Sequence, residues 1–271
     1  MPELPEVETT RRGIAPALEG HTLRDVFVRE RRLRWPVPPG IEQKLAGQSV
    51  TGLRRRAKYL LLDTAAGSAV IHLGMSGSMR IAGINDPPEK HDHFDIVTSN
   101  REVVRFNDPR RFGSFLWAGD TPLEHPLLAN LGPEPLGYEF TGEYLWQSGR
   151  GRKVAIKQHI MNSKTVAGVG NIYANEALFR AGIHPTRPAG RIAVMRMHAL
   201  ANEIRAVLTD AIRQGGTTLR DYRGGDGKPG YFKQQLLVYE RCDLPCKQCG
   251  RPVKRIVQGQ RATYYCSTCQ R

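Results

Sequence analysis

Acidic residues, cysteines and long apolar runs are all in short supply in this chain of 271 residues. No stretch approaches the roughly 20 consecutive apolar residues that a membrane-spanning helix needs. No basic n-region followed by an apolar core opens the chain, so neither a spanning nor a secreted protein is expected, and the protein is read as cytoplasmic and soluble. Twenty-six acids face 40 lysines and arginines, a formal charge of +14. That imbalance favours a polyanionic partner. The chromosome fits it, and a ribosomal or tRNA partner fits the charge equally well. Cysteine is missing until position 242, which confines any thiolate metal chemistry to the last thirty residues.

Those thirty residues read CDLPCKQCGRPVKRIVQGQRATYYCSTCQR. Cys246 with Cys249, and Cys266 with Cys269, form two C-x2-C pairs separated by sixteen residues. Two such pairs close a tetrahedral Zn²⁺ shell with no open position, so one structural zinc per chain is expected. Two disulfides would be the alternative, and reducing surroundings disfavour it. Cys242 falls outside both pairs as a spare thiol. Between the pairs, Val253, Ile256 and Val257 precede a Gly259-Gln260 turn and Thr263-Tyr264-Tyr265, the pattern of a β-hairpin held at its base by metal. Arg261 sits at its tip, and the stretch has Asp243 as its single acid.

At the other end, MPELPEVETTRRGIAPALEG predicts a helix over 6–18, with Val7, Ile14 and Leu18 as its apolar stripe. Pro5 suits a first helical turn, and Glu3, Glu6 and Glu8 gain from the field there. This could be no more than a well-capped helix. Removal of Met1 would also make Pro2 a free secondary amine between two carboxylates. An α-amine with a pKa near 7.7–8.0 is partly unprotonated at neutral pH.

Short β-like runs follow at 23–28, 50–54, 59–63, 69–73, 94–98, 103–107 and 113–117, which suggests a β-sandwich or flattened barrel. Arg54-Arg55-Arg56 reads as a solvated basic face, whereas Lys58 stands against the apolar run that follows it. Two loops carry unusual tips. HLGMSGS places Met75 between glycines, and DPRRFG places Arg110 and Arg111 beside Phe112. Either tip could fold back into the core, and an apolar wedge with an arginine is also what opens a DNA stack. In KHDHFD, His91 and His93 fit phosphate contact or core hydrogen bonding better than metal, for want of a third ligand.

The second half predicts helices over 141–148, 154–161, 172–181 and 192–213, the last with Leu200, Ile204, Leu208 and Ile212 at a four-residue period. The turn Ala167-Gly168-Val169-Gly170-Asn171 can bring main-chain N–H groups onto a phosphate, with Asn171 capping the next helix. Close packing alone would explain those glycines equally well. Residues 215–230 are glycine-rich and predict a loop able to cover a pocket.

Taken together, PELPEVET, KHDHFD, DPRRFG, SKTVAGVGNIYANEALF, DGKPGYF and the tail PCKQCG…GQRATYYCSTCQ resemble bacterial formamidopyrimidine-DNA glycosylase over nearly the whole chain. The resemblance implies a multidomain α+β fold. Residues 1–133 would form a β-sandwich with an N-terminal helix, 134–235 a helix–two-turn–helix module with a lesion-covering loop, and 236–271 a zinc finger. It implies a bifunctional glycosylase and abasic-site lyase that excises 8-oxoguanine and ring-opened purines from duplex DNA and cleaves the strand by β,δ-elimination. Damaged duplex DNA would be the partner of a monomer that uses no nucleotide cofactor.

By the same resemblance Pro2 is the nucleophile, Glu3 the acid/base, Glu6 an assisting carboxylate, and Lys58 part of the active-site phosphate set. Met75, Arg111 and Phe112 fill the gap left by the flipped nucleotide. His91, Arg110, Arg111, Lys157, Asn171 and Arg261 contact DNA, Glu176 has a further role, and Thr217, Thr218 and Tyr222 belong to the lesion loop. The lead Arg241-Cys242-Asp243-Leu244 departs from a more glycine-rich pattern without touching a ligand. A pyrimidine-lesion glycosylase of the same architecture is the nearest alternative. A non-catalytic zinc-finger DNA binder is another, which the amine and acids at Pro2, Glu3 and Glu6 argue against.

Overall fold

A computed structural model of the chain describes residues 2–216 and 235–271. Their contacts divide into two compact units, one holding residues 2–129 with 214–216 and the other residues 130–213 with 235–271.

The first unit begins with helix α1 (Leu4–Leu18). It starts two residues earlier than its apolar stripe predicts. Glu3 and Glu6 form a capping box there, with the Glu3 N–H donating to Glu6 Oε2 at 2.9 Å, which satisfies main-chain donors at the helix start. Strands β1 (Leu23–Val28), β2 (Val50–Arg56), β3 (Tyr59–Thr64) and β4 (Gly67–His72) follow, with the short helix α2 (Ile41–Leu45) between the first two. Next come β5 (Ser78–Gly83), β6 (Asp92–Thr98), β7 (Glu102–Asn107) and β8 (Ser114–Gly119). They pair antiparallel in two sheets, β1-β6-β7-β5 and β2-β3-β4-β8. Val7, Ile14 and Leu18 of α1 join Leu60, Leu62, Ile71, Phe94, Phe106 and Phe115 in one apolar core. Phe94 stacks on Phe106 and Phe115 at centroid distances of 4.8 and 4.3 Å.

Two elements carry little sequence signal. β5 is an edge strand with Met79 inward and Ile81 exposed, too few apolar residues to show a period. α2 is one turn seated by Ile41 and Leu45, both buried. The basic run of β2 is more engaged than a solvated face, since Arg54 bonds Asp63 at 2.9 Å and Arg55 bonds Glu8 at 3.2 Å.

In the second unit, α3 (Gly142–Gly149), α4 (Ile156–Met161), α5 (Asn171–Arg180) and α6 (Val194–Arg213) pack together, and a hairpin of β9 (Lys254–Gln258) and β10 (Arg261–Tyr265) packs on α5. Met197, Leu200, Ala201, Ile204, Val207, Leu208 and Ala211 bury the inner face of α6. Phe179, Val238 and Val253 share a small core with Cys246 and Cys266. No helix among the described residues is long and apolar enough to cross a membrane.

Charges on β5, β6 and β7 interlock. Register puts Arg105 opposite both Arg80 and Asp95. Arg80 grips Asp92 with bonds of 2.9 and 2.8 Å, while Arg105 takes Asp95 at 2.9 Å. Burial pushes the Asp92 pKa up, but Arg80, Asn107 and the Glu89 N–H pull it below the usual carboxylate value. A carboxylate depressed in the folded state stabilises above its unfolded pKa of about 3.9 and loses that contribution as pH falls through the folded value. Asp92→Ala is therefore expected to cost about 2–3 kcal/mol in urea unfolding at pH 7. The wild-type advantage over this variant should shrink below about pH 4.

Candidate functional site

Pro2 and Glu3 are both buried at the start of α1, Glu3 being 3% exposed. The first peptides of a helix carry its positive end, which favours the neutral form of a nearby amine. Glu6 folds back on the Glu3 N–H, fixing the acid pair in one geometry. Gly216 lies against Glu6, where a side-chain carbon would meet Oε1 at 3.1 Å. The chain thus reaches its glycine-rich stretch directly at this carboxylate. Thr217, Thr218 and Tyr222 lie outside the described residues.

Lys58 occupies the tight β2–β3 turn behind Ala57, whose φ is +53°. His72, at the end of β4, received no role from sequence. Its ring meets Tyr59 at 4.8 Å, and its Nδ1 accepts the Gly74 N–H at 2.9 Å. Burial, then the Lys58 and Arg34 charges, push its pKa down to about 4. His72 is therefore neutral at pH 7 with its proton on Nε2, a single donor beside Lys58. A histidine that both ends a strand and opens HLGMSGS was the available signal.

The β4–β5 and β7–β8 loops meet in space. Gly74 has φ +69°, and a side-chain carbon there would stand 2.5 Å from both Gly113 N and Phe112 C, so the two backbones touch and only glycine fits. Met75 and Phe112 are each 39% exposed rather than folded into the core. The arginine joined to this tip is Arg110, whose guanidinium lies 4.8 Å from the Phe112 ring centroid. Arg111, the expected wedge arginine, points elsewhere. It has φ +56° and bonds Glu30 at 3.2 Å. Sequence could not separate neighbouring arginines whose directions depend on one backbone flip. His91 is half-buried and its carbonyl accepts the Asp108 N–H. His93 is buried, bonding the Asp108 carbonyl at 2.7 Å.

In the second unit the start of α5 is bonded to β10. Asn171 does not cap the helix. Gly170 is the N-cap, and Asn171 Nδ2 donates to the Ala262 carbonyl at 3.0 Å. Lys157, expected to contact DNA, is 1% exposed. Its ammonium donates to the Ala262 carbonyl at 2.9 Å and to Thr263 Oγ1 at 2.7 Å, so it holds the hairpin rather than presenting a surface charge. Asn175, which sequence passed over, completes the joint by accepting the Tyr264 N–H at 2.7 Å. Gly259 and Gln260, both at positive φ, make the two-residue turn that leaves Arg261 exposed beside Asn171's partner Ala262. Glu176 is fully buried and accepts the N–H groups of Leu237, Val238 and Tyr239 at 2.8–3.0 Å. Burial raises its pKa against those three bonds.

Cys246, Cys249, Cys266 and Cys269 bring four sulfurs within 4.8 Å of one another. Two separations are 3.4 and 3.9 Å, too long for a disulfide and close to the ~3.8 Å edge of a tetrahedron with Zn–S bonds of about 2.3 Å. The four thiolates would close the coordination shell, so the metal is a structural zinc. Cys242 stays outside the cluster and donates to Asp243. Cys266→Ser is expected to lower zinc from about one equivalent per chain and to loosen residues 243–271, because the finger's small core is built on the ligands themselves. Elemental analysis and hydrogen exchange over that segment check both.

The formamidopyrimidine-DNA glycosylase N-terminal domain family matches residues 1–115, the H2TH domain of the same enzymes matches 131–223, and the zinc finger found in FPG and IleRS matches 243–271. The formamidopyrimidine-DNA glycosylases of Methylococcus capsulatus and Stutzerimonas stutzeri are 58% and 55% identical, each aligned over the whole of both chains. Among solved structures, MutM (FPG) from Thermus thermophilus is 40% identical with a TM-score of 0.89, covering 99% of this chain and 98% of that one. The Lactococcus lactis Fpg bound to abasic-site DNA is 31% identical with a TM-score of 0.92, covering both chains completely. With full-length identity, matching fold and the same zinc-binding tail, the chain belongs to the formamidopyrimidine-DNA glycosylase family.

Proposed function

We propose that this protein excises oxidised purines, 8-oxoguanine and formamidopyrimidines, from duplex DNA and cleaves the strand at the resulting site. The observation that carries the reading is the placement of Pro2 and Glu3 together at the buried, positive end of α1. With Met1 removed, the Pro2 nitrogen attacks C1′ of the flipped deoxyribose. The glycosidic bond breaks, the base leaves with its electron pair and is protonated by water, and the amine passes its proton to the Glu3 carboxylate. Glu3 protonates the ring oxygen as the sugar opens, leaving an iminium between Pro2 and C1′. That cation acidifies C2′–H. Loss of this proton expels the 3′ phosphate, and a second elimination expels the 5′ phosphate. Glu6 keeps Glu3 in position through its main-chain N–H. Lys58 and His72, then Asn171 and Arg261, offset the charge of the flanking phosphates. The zinc meets no substrate and serves the hairpin alone.

Extrusion of the base costs a few kcal/mol of lost stacking. Met75 and Phe112 recover part of it by filling the gap, with Arg110 stacked on Phe112 as the arginine of the wedge. The neighbours of known structure favour this partner, since a mutant of the Lactococcus lactis Fpg is seen with Fapy-dG-containing DNA and the Lactococcus lactis Fpg with abasic-site DNA. The three-part division at residues 133 and 235 remains our assignment of these tasks to the chain.

Borohydride added during turnover should reduce the iminium and leave DNA covalently bound, with the adduct mapping to Pro2. An adduct on Lys58, or full activity in protein retaining Met1, would overturn the mechanism. Arg261→Ala should lower the slope of log affinity against log salt by about one unit. Lys157→Met, whose charge faces the hairpin, should weaken binding with a smaller change of slope. Identical slopes for wild type and Arg261→Ala would remove Arg261 from the phosphate set.

A further inference from the structure

Asp108 is the first residue after β7 and has no solvent exposure. One carboxylate oxygen accepts the Ser76 hydroxyl at 2.8 Å and the Arg110 N–H at 3.2 Å, and the other accepts the Gly113 N–H at 2.8 Å. Its main chain is engaged as well. The Asp108 carbonyl accepts from His93 Nε2 and the Arg111 N–H, and its own N–H donates to the His91 carbonyl. Ser76 directly follows Met75, and the other two acceptor bonds bracket Phe112. One buried side chain therefore bonds both loops, at the place where Gly74 brings their backbones into contact. An ionised carboxylate has acceptor sites for all three donors and no hydrogen of its own to conflict with them.

We infer that Asp108 is a positioning residue, which through Ser76 and Gly113 holds the Met75 loop and the Phe112 loop as a single preformed wedge. The inference rests on the proposed role of Met75 and Phe112 in filling the gap. A wedge must be in place before the base leaves, because a loop that had to order itself during extrusion would add its own entropy to the cost of unstacking. The bonds to Asp108 supply that order in the free protein. Asparagine in its place keeps the shape but turns an NH₂ group toward either the Gly113 N–H or the Arg110 N–H, while the Ser76 hydroxyl can rotate to accept, so one main-chain donor of the Phe112 loop loses its acceptor. Ser76→Ala is gentler, as it cuts the link between the loops and leaves the other two bonds intact.

The test compares single-turnover excision of 8-oxoguanine from a duplex with strand cleavage at a preformed abasic site, in Ser76→Ala, Asp108→Asn, Phe112→Ala and the Ser76→Ala/Phe112→Ala double variant. Ser76→Ala should lower the ratio of excision to cleavage about fivefold, the order that follows from losing one hydrogen bond's net contribution. It should have no further effect once Phe112 is alanine, because both act through one wedge. Asp108→Asn should lower the ratio by at least as much, and if it does not fold, Ser76→Ala decides. A ratio that falls in Phe112→Ala but stays at the wild-type value in Ser76→Ala overturns the inference and leaves the wedge standing. So does a Ser76→Ala effect that multiplies undiminished in the double variant. An unchanged ratio in Phe112→Ala itself would remove the wedge, and this inference with it.

Discussion

Main-chain N–H groups held by buried carboxylates shape the working loops of both units. Glu6 accepts the Glu3 N–H at the start of α1, Asp92 accepts that of Glu89, Asp108 those of Arg110 and Gly113, and Glu176 three in succession. A loop that leaves regular structure strands its donors, and an unsatisfied buried N–H costs about as much as a lost hydrogen bond. A carboxylate can serve several such donors at once. In a protein where basic residues predominate, these acids do more for backbone geometry than for surface charge. Their placement determines where Met75, Phe112 and the segment 237–239 stand.

The second unit solves a related problem with donors instead. Lys157 and Asn171 both give hydrogen bonds to the Ala262 carbonyl, and Asn175 takes the N–H of Tyr264. The edge of β10 that faces away from β9 thereby finds partners on α4 and α5. Without them the hairpin would be two short strands on a metal clip, and a lone hairpin is marginally stable at best. The helix–two-turn–helix segment and the zinc finger belong to one compact unit for this reason.

Much of this was legible in the sequence, for identifiable reasons. The four thiolates were plain from spacing, and the seven strands read from alternation lie where expected, because each couples an apolar face to punctuated turns. β5 and α2 escaped because so few of their residues touch the core. Side-chain direction was harder to read. Nothing local to DPRRFG says that Arg110 stacks on Phe112 while Arg111 turns to Glu30, since a positive φ at Arg111 settles it. The resemblance put Lys157 on DNA, and its burial depends on the Ala262 carbonyl and the Thr263 hydroxyl, more than 100 residues away. His72 was passed over for a similar reason, because Lys58 and Arg34 act on it only once the strands have paired.

The close approach of Gly74 to Gly113 limits how this surface can diverge. A methyl group at Gly74 would collide with main-chain atoms, which no side-chain rearrangement relieves. Insertions or loop exchanges on either side would have to preserve that crossing. Variation is then channelled into the exposed side chains at 75, 110 and 112, which can change size and polarity while the scaffold beneath them stays constant. Selection, or a protein engineer, can alter what the tip presents far more easily than how it is held.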